Sequence, residues 1–238
     1  MKRLKAILTF TAALAFAAAS YSARNFRGYD PAAFPVPVID PPFQPAPWAF
    51  AIWGLIFLLL IAHAAYGLFR RAEDPLWDAP RWPLFASMAL GASWLEVAMR
   101  APVLATVQIW IMTALAIAAA ARAPDGREAP LRAATLSFYA GWLTAATAVA
   151  TGTVLVGYGG LSLAAATFVV PLAAVGTALV VLARGLVCPP YAFSVIWALI
   201  GIMAANLHDP ELLVLGGVGA LALAATAVWR LRRMGVLR

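Results

Sequence analysis

The side chains that could do chemistry within the apolar stretches of this chain are few, and most are aromatic. Phe50, Trp53 and Phe57 follow a proline-led start, Pro47-Trp48-Ala49-Phe50-Ala51-Ile52-Trp53-Gly54-Leu55-Ile56-Phe57, and their three- and four-residue spacing puts them on one helix face. Pro47 suits a first helical turn, where its missing N–H has no helical partner to lose. Trp94, Trp142 and Trp197 lie deep in apolar runs, whereas Trp48, Trp82 and Trp229 sit at run ends, where interface anchors belong. Rings converging from separate helices would wall a pocket for a planar or rigid apolar ligand; the alternative is that they are helix packing.

Ionisable groups within these runs are rarer still. Glu96 and Arg100 are four residues apart and can pair on one helix face, so Glu96 is either half of a local clamp or a polar wall of the pocket. His63 is expected to hydrogen-bond a neighbouring helix. No second histidine or carboxylate stands at metal-ligand spacing, so no metal site is read here. The single Cys188 excludes an internal disulfide framework. There is no Gly-x-Ser-x-Gly elbow, no His-Glu-x-x-His and no phosphate-binding glycine loop. These absences argue against a hydrolase or a nucleotide-driven pump, and nothing in the motifs requires a cofactor.

The elements that must position these groups are membrane helices. Of 238 residues, 64% are hydrophobic and 11% charged, and several runs approach the roughly 20 apolar residues that cross a bilayer. The runs lack the strict alternation of a membrane barrel. An all-α, polytopic helical bundle of about eight spans follows, with a lipid bilayer as its solvent. Residues 1–22, with a basic start and an alanine-rich run, read either as a signal peptide or as a first span. The proline-rich segment 24–46, which includes Phe43, cannot be helical and is either a lid over the bundle or a linker. Further spans are expected at Trp48–Phe69, Trp82–Met99, Val103–Ala121, Leu131–Val156, Leu161–Ala183, Tyr191–Leu207 and Leu212–Trp229, with Pro171 as a kink.

Charge sets the expected orientation. With the amino terminus inside, Lys2, Arg3, Lys5, Arg70, Arg71, Arg81, Arg122, Arg127, Arg132, Arg184, Arg230, Arg232, Arg233 and Arg238 all fall on the cytoplasmic side. Only Arg24, Arg27 and Arg100 fall on the other. Both termini are then cytoplasmic. The net charge of +7 reflects this asymmetry rather than nucleic-acid binding, because no basic run is interleaved with aromatics.

The segment from Pro47 to Phe57 resembles the proline-led second helix of the TspO/MBR family, the tryptophan-rich sensory proteins related to the mitochondrial translocator protein. Ala92-Ser93-Trp94 resembles that family's third-helix tryptophan, and Tyr139-Ala140-Gly141-Trp142-Leu143-Thr144-Ala145-Ala146-Thr147 its fifth-helix tryptophan segment. Tyr191–Gly201 resembles longer members with extra helices. Two asparagines of the family pattern are absent, with Gly91-Ala92 and Ala150-Thr151 in their places.

The resemblance favours a retained first span. It implies a five-helix core over residues 1–156, with three additional helices over 157–238. It also implies a membrane binding or sensory protein for a porphyrin-like, sterol-like or other rigid apolar ligand, with a heme-like tetrapyrrole as one such ligand. A bacterial inner membrane is the expected location, and a homodimer stays open. The ligand would meet Trp53, Trp142, Trp94, Phe50, Phe57, Phe43 and Glu96. Two rival readings are a transporter, and an intramembrane enzyme on an isoprenoid or lipid with Glu96 or His63 as acid or base.

Overall fold

The computed structural model describes residues 1–22, 28–123, 128 and 130–233. Among these, eight long helices and one short one form, with no strand: α1 Lys2–Ser22, α2 Ile52–Phe69, α3 Pro75–Asp78, α4 Arg81–Arg100, α5 Pro102–Ala121, α6 Thr135–Gly157, α7 Leu163–Ala183, α8 Pro190–Ala205 and α9 Pro210–Arg233. Six helical stretches, those containing α1, α2, α5, α6, α7 and α9, are long and apolar enough to cross a membrane. The helix α8 is shorter, at 16 residues. The sequence-expected bounds hold to within a few residues. The departures reach four residues at the start of α2, which is preceded by a 3-10 turn, Pro47–Ala51, at the start of α6, which is preceded by a π-turn, Pro130–Ala134, and at the end of α9. The helix α7 runs unbroken through Pro171 and starts at a Ser162 cap that accepts from the Ala165 N–H.

The long helices alternate in direction, which brings the start of α1 and the end of α9 to the same end of the bundle. Next to α1 lie α2 and α4; α5 sits between α4 and α6; and α6 packs on α5, α7 and α8, with α9 against α7 and α8. One continuous apolar cluster reaches from Ala12 in α1 to Leu223 in α9. It is alanine-rich because helices in an apolar solvent gain by close approach rather than by hiding oil from water. Phe16 of α1 packs over Gly91 of α4.

Hydroxyls tie the helices together. Ser87 Oγ donates to the Met112 carbonyl and lies 2.9 Å from Tyr139 Oη. Thr113 and Thr147 hydroxyls are 2.7 Å apart, as are the Thr144 and Tyr191 hydroxyls, and Ser194 Oγ donates to the Phe138 carbonyl at 2.7 Å. In lipid each such bond contributes about 1 kcal/mol, and leaving its groups unpaired costs more.

The end holding both termini is bound by a polar knot that centres on Trp77 of α3, a side chain buried to 1% exposure. Asp74 caps this short helix by accepting from the Leu76 N–H. Trp77 stacks on His63 at 4.9 Å and donates its Nε1–H to Glu128 at 2.8 Å. Glu128 also accepts from Tyr66 at 3.0 Å and pairs with Arg71. His63 Nδ1 donates to the Leu131 carbonyl at 2.9 Å, so it bonds the turn before α6, as expected for a histidine in such a helix. Arg81, 3% exposed, donates to the carbonyls of Gly67, Arg71 and Ala72, and so caps the end of α2 with positive charge.

Hydrogen bonds from Arg71 and Trp77 hold the Glu128 carboxyl down to about 2, below its ordinary 4.5. A depressed carboxylate adds stability above its ordinary value and loses it as pH falls through the folded one. The thermal midpoint in detergent is therefore expected to fall as pH drops from about 4.5 to about 2, and Glu128→Gln should show a shallower fall over that window. Equal slopes in the two proteins would exclude this role for Glu128. Arg24, Arg27, Arg127 and Arg238 lie outside the described residues.

Candidate functional site

The opposite end of the bundle carries a roof. Between Gly28 and Pro47 the backbone holds seven prolines, each fixing φ and removing a donor, so the segment costs little entropy to order. It is sewn to the helices at several points. Val36 N–H donates to the Gly157 carbonyl at 3.0 Å, and Ala46 N–H to the Gly201 carbonyl at 3.0 Å. Asn206 Nδ2 donates to the Pro42 carbonyl at 2.8 Å, and Trp197 Nε1 to the Ala49 carbonyl at 2.8 Å. Tyr29 Oη lies 3.0 Å from Thr106 Oγ1, and burial pushes the Tyr29 phenol up to about 12, so it stays neutral. Phe43, fully buried, plugs between α6 and α7 with Val38, Val156, Ala166 and Val170. The segment acts as a lid, the first of the two alternatives open in the sequence.

Under this roof lies a cavity of about 730 Å³. Its floor and walls come from α6 (Trp142, Ala145, Ala146, Val149, Ala150), with Phe50 from the α2 lead-in, Trp94 from α4 and Ala198 from α8. The volume falls within the range typical of small-molecule sites. The void exists because a run of alanines on α6 faces the loop. Small side chains there leave space that leucine would fill.

Of the sequence-expected residues, Phe50, Trp94 and Trp142 line the cavity. Trp142 meets Phe50 and Trp53 edge-on, with ring centroids at 5.9 and 6.2 Å. Trp53 stacks on Phe57 at 5.2 Å, and both rings abut Phe16. Trp53 and Phe57 thus stand behind Trp142 as backing and do not themselves line the cavity. Phe43 holds the roof down rather than facing the space. Glu96 pairs with Arg100 on the exposed face of α4, apart from the cavity lining. Trp94 donates its Nε1–H to the Ala105 carbonyl at 2.9 Å, which fixes its ring beside the space.

Other lining residues escaped the sequence reading. Tyr29, Asp30, Asp40 and Gln44 sit in the loop, and their approach to α6 depends on long-range contacts. The alanines of α6 and Ala198 of α8 carry no local signal of a void. Ala150 now lines the cavity, and Thr151 accepts the Trp110 Nε1–H at 3.0 Å. Among the described residues no three His, Cys, Asp or Glu side chains gather to hold a metal ion.

An antiparallel bundle with six long apolar spans, and a loop-roofed aromatic hollow at one end, defines a polytopic α-helical integral membrane protein. A family model described as TSPO-like protein matches residues 6–229. The chain belongs to that family, and the match runs from α1 into α9, so it includes the last three helices. No curated protein and no solved structure matches the chain.

Proposed function

We propose that this membrane protein binds a porphyrin-like, sterol-like or other rigid apolar ligand in the cavity beneath the 28–47 loop, in a binding or sensory role. One observation carries the reading: a space of about 730 Å³ walled by Phe50, Trp94 and Trp142 and roofed by a proline-stiffened segment. Flat rings offer large contact area at low entropic cost, and an ordered roof spares the ligand the cost of ordering it. The polar knot and roof lie at opposite ends of the bundle. The excess of Lys and Arg at the knot end favours a cytoplasmic location for both termini, with the cavity towards the other face of a bacterial inner membrane.

The test is saturable tryptophan quenching by a neutral porphyrin diester in detergent. Trp142→Phe, which keeps most of the packing, is expected to weaken binding about tenfold, equivalent to about 1.4 kcal/mol of lost contact. Trp110→Phe, on the exposed face of α5, is expected to leave the affinity unchanged. Equal affinities in wild type and Trp142→Phe would reject the site.

A further inference from the structure

Between residues 130 and 238 the only acidic side chains are Asp209 and Glu211, and both stand at the start of α9, the roofed end of the bundle. At the opposite end α7 closes on Arg184, and the last turn of α9 carries Arg230, Arg232 and Arg233. The ion pairs of the described residues are Lys5–Asp78, Arg71–Asp74, Arg71–Glu128, Arg81–Asp78 and Arg100–Glu96, none of which uses these four arginines. The described acids of that end, Glu73, Asp74, Asp78 and Glu128, gather around α3, and α9 packs on α7 and α8 instead. Asp125 lies outside the described residues, as do residues 234–238, which add one arginine and no acidic side chain.

Arg230 is seated rather than waving. Its guanidinium lies over Gly185, where a Cβ would come within 2.9 Å of both Nη1 and Nη2. Gly185, at a φ of +71°, turns the chain out of α7. The carbonyls that end α7 are already used: Val180, Val181 and Leu182 accept from the N–H groups of Arg184, Leu186 and Gly185. Arg230 Nε is buried with no acceptor, and neither Nη group donates to a described residue. A guanidinium ordinarily spends its five donors on carboxylates, phosphates or carbonyls, so this one is held in place with its charge unspent. Arg233, one turn further on, is stacked over the Trp229 ring at 4.3 Å, which orients a second guanidinium beside the first.

The structure assigns this corner to an anionic lipid: the ends of α7 and α9 hold the phosphate of a headgroup such as phosphatidylglycerol among Arg184, Arg230 and Arg233. What favours a lipid over a soluble anion is the adjoining apolar surface. Val180, one turn before Arg184, and Val228 and Trp229, next to Arg230, are all exposed on helices long enough to cross the bilayer. An acyl chain can lie along that surface while the phosphodiester meets the guanidinium forks. The site is at the end of the bundle away from the roofed cavity and does not depend on what the cavity binds.

Native mass spectrometry in an uncharged detergent reads lipid binding directly, with dioleoylphosphatidylglycerol and dioleoylphosphatidylcholine as probes of one chain length. The anionic lipid is expected to bind at least about tenfold more tightly, since each arginine near a headgroup adds about fivefold. R184Q/R233Q, which changes two exposed side chains and no buried contact, should weaken phosphatidylglycerol about ten- to thirtyfold. R230K keeps the charge but loses the planar fork, and should weaken it about three- to fivefold. R3Q/R70Q removes equal charge from exposed positions at the same end and should change binding less than about twofold. An equal loss in R3Q/R70Q, or no preference over phosphatidylcholine, would reduce the corner to general attraction by a basic surface and overturn the site. Unchanged binding in R230K would overturn the role of the seated guanidinium. Displacement of the lipid by millimolar inorganic phosphate at constant ionic strength would give the corner to a soluble anion and overturn the lipid assignment.

Discussion

Replacing Ala146 with tryptophan should abolish ligand binding while leaving the bundle folded. Ala146 sits on α6 between Trp142 and Ala150, and lines the cavity without being fully buried. An indole placed there has somewhere to go, because the space of about 730 Å³ is much larger than one side chain. It would cover on the order of 100 Å² of wall that a ligand otherwise contacts. At about 25 cal/mol per Å² that is about 2.5 kcal/mol, close to a hundredfold in affinity. A substitution that projects into an existing void strains no packed neighbour, so the thermal midpoint should move by no more than about 2 °C. Saturable quenching by the porphyrin diester, measured beside a thermal melt, checks both halves. Full binding by Ala146→Trp would mean that the ligand sits elsewhere.

The opposite signature is expected at Gly141, one residue before the cavity tryptophan. A Cβ there would run into the backbone carbonyl of Tyr191, and no side-chain rotation relieves a clash with backbone. Helices α6 and α8 meet at this point through the Thr144–Tyr191 and Ser194–Phe138 hydrogen bonds, both 2.7 Å. Gly141→Ala should force them apart and stretch both bonds. Overpacking of this kind costs about 1–3 kcal/mol, and Gly141→Val more. For a chain of this size that lowers the thermal midpoint by roughly 2–12 °C for alanine. Ligand binding should weaken as well, since Trp142 and Ala198 on the two separated helices share the cavity wall. An unchanged midpoint in Gly141→Ala would show that the helices are not in backbone contact.

The helices were legible in the sequence because a bilayer imposes one simple rule, a long apolar run for each crossing. The proline-led start of α2 and the deep tryptophans were legible for the same reason: their types are unusual at those places. What escaped the sequence depends on pairs far apart in it. Trp77 stands in a four-residue helix too short for any periodicity, and its burial follows from Glu128 and His63, more than ten residues away on either side. Phe57 and Trp53 share the cavity-side character of Phe50 by spacing, yet Phe16 of α1 claims them as packing. Phe50 lies in the 3-10 lead-in, where the turn differs from that of an α-helix, so the three rings do not form one flat face. Gly141 is one of 17 glycines, and nothing local marks it as the one under a neighbouring carbonyl.

The helix α8 walls the hollow through Ala198 and also fastens its roof, through the Gly201 carbonyl to Ala46 and, just past its end, through Asn206 to Pro42. Occupancy and the seating of this late helix are thus thermodynamically linked, and linkage is reciprocal. A guest that tightens the roof must hold α8 in place by the same free energy with which α8 holds the guest. A protease cut in the 184–189 turn should loosen the complex, and a bound molecule should in turn slow the cut.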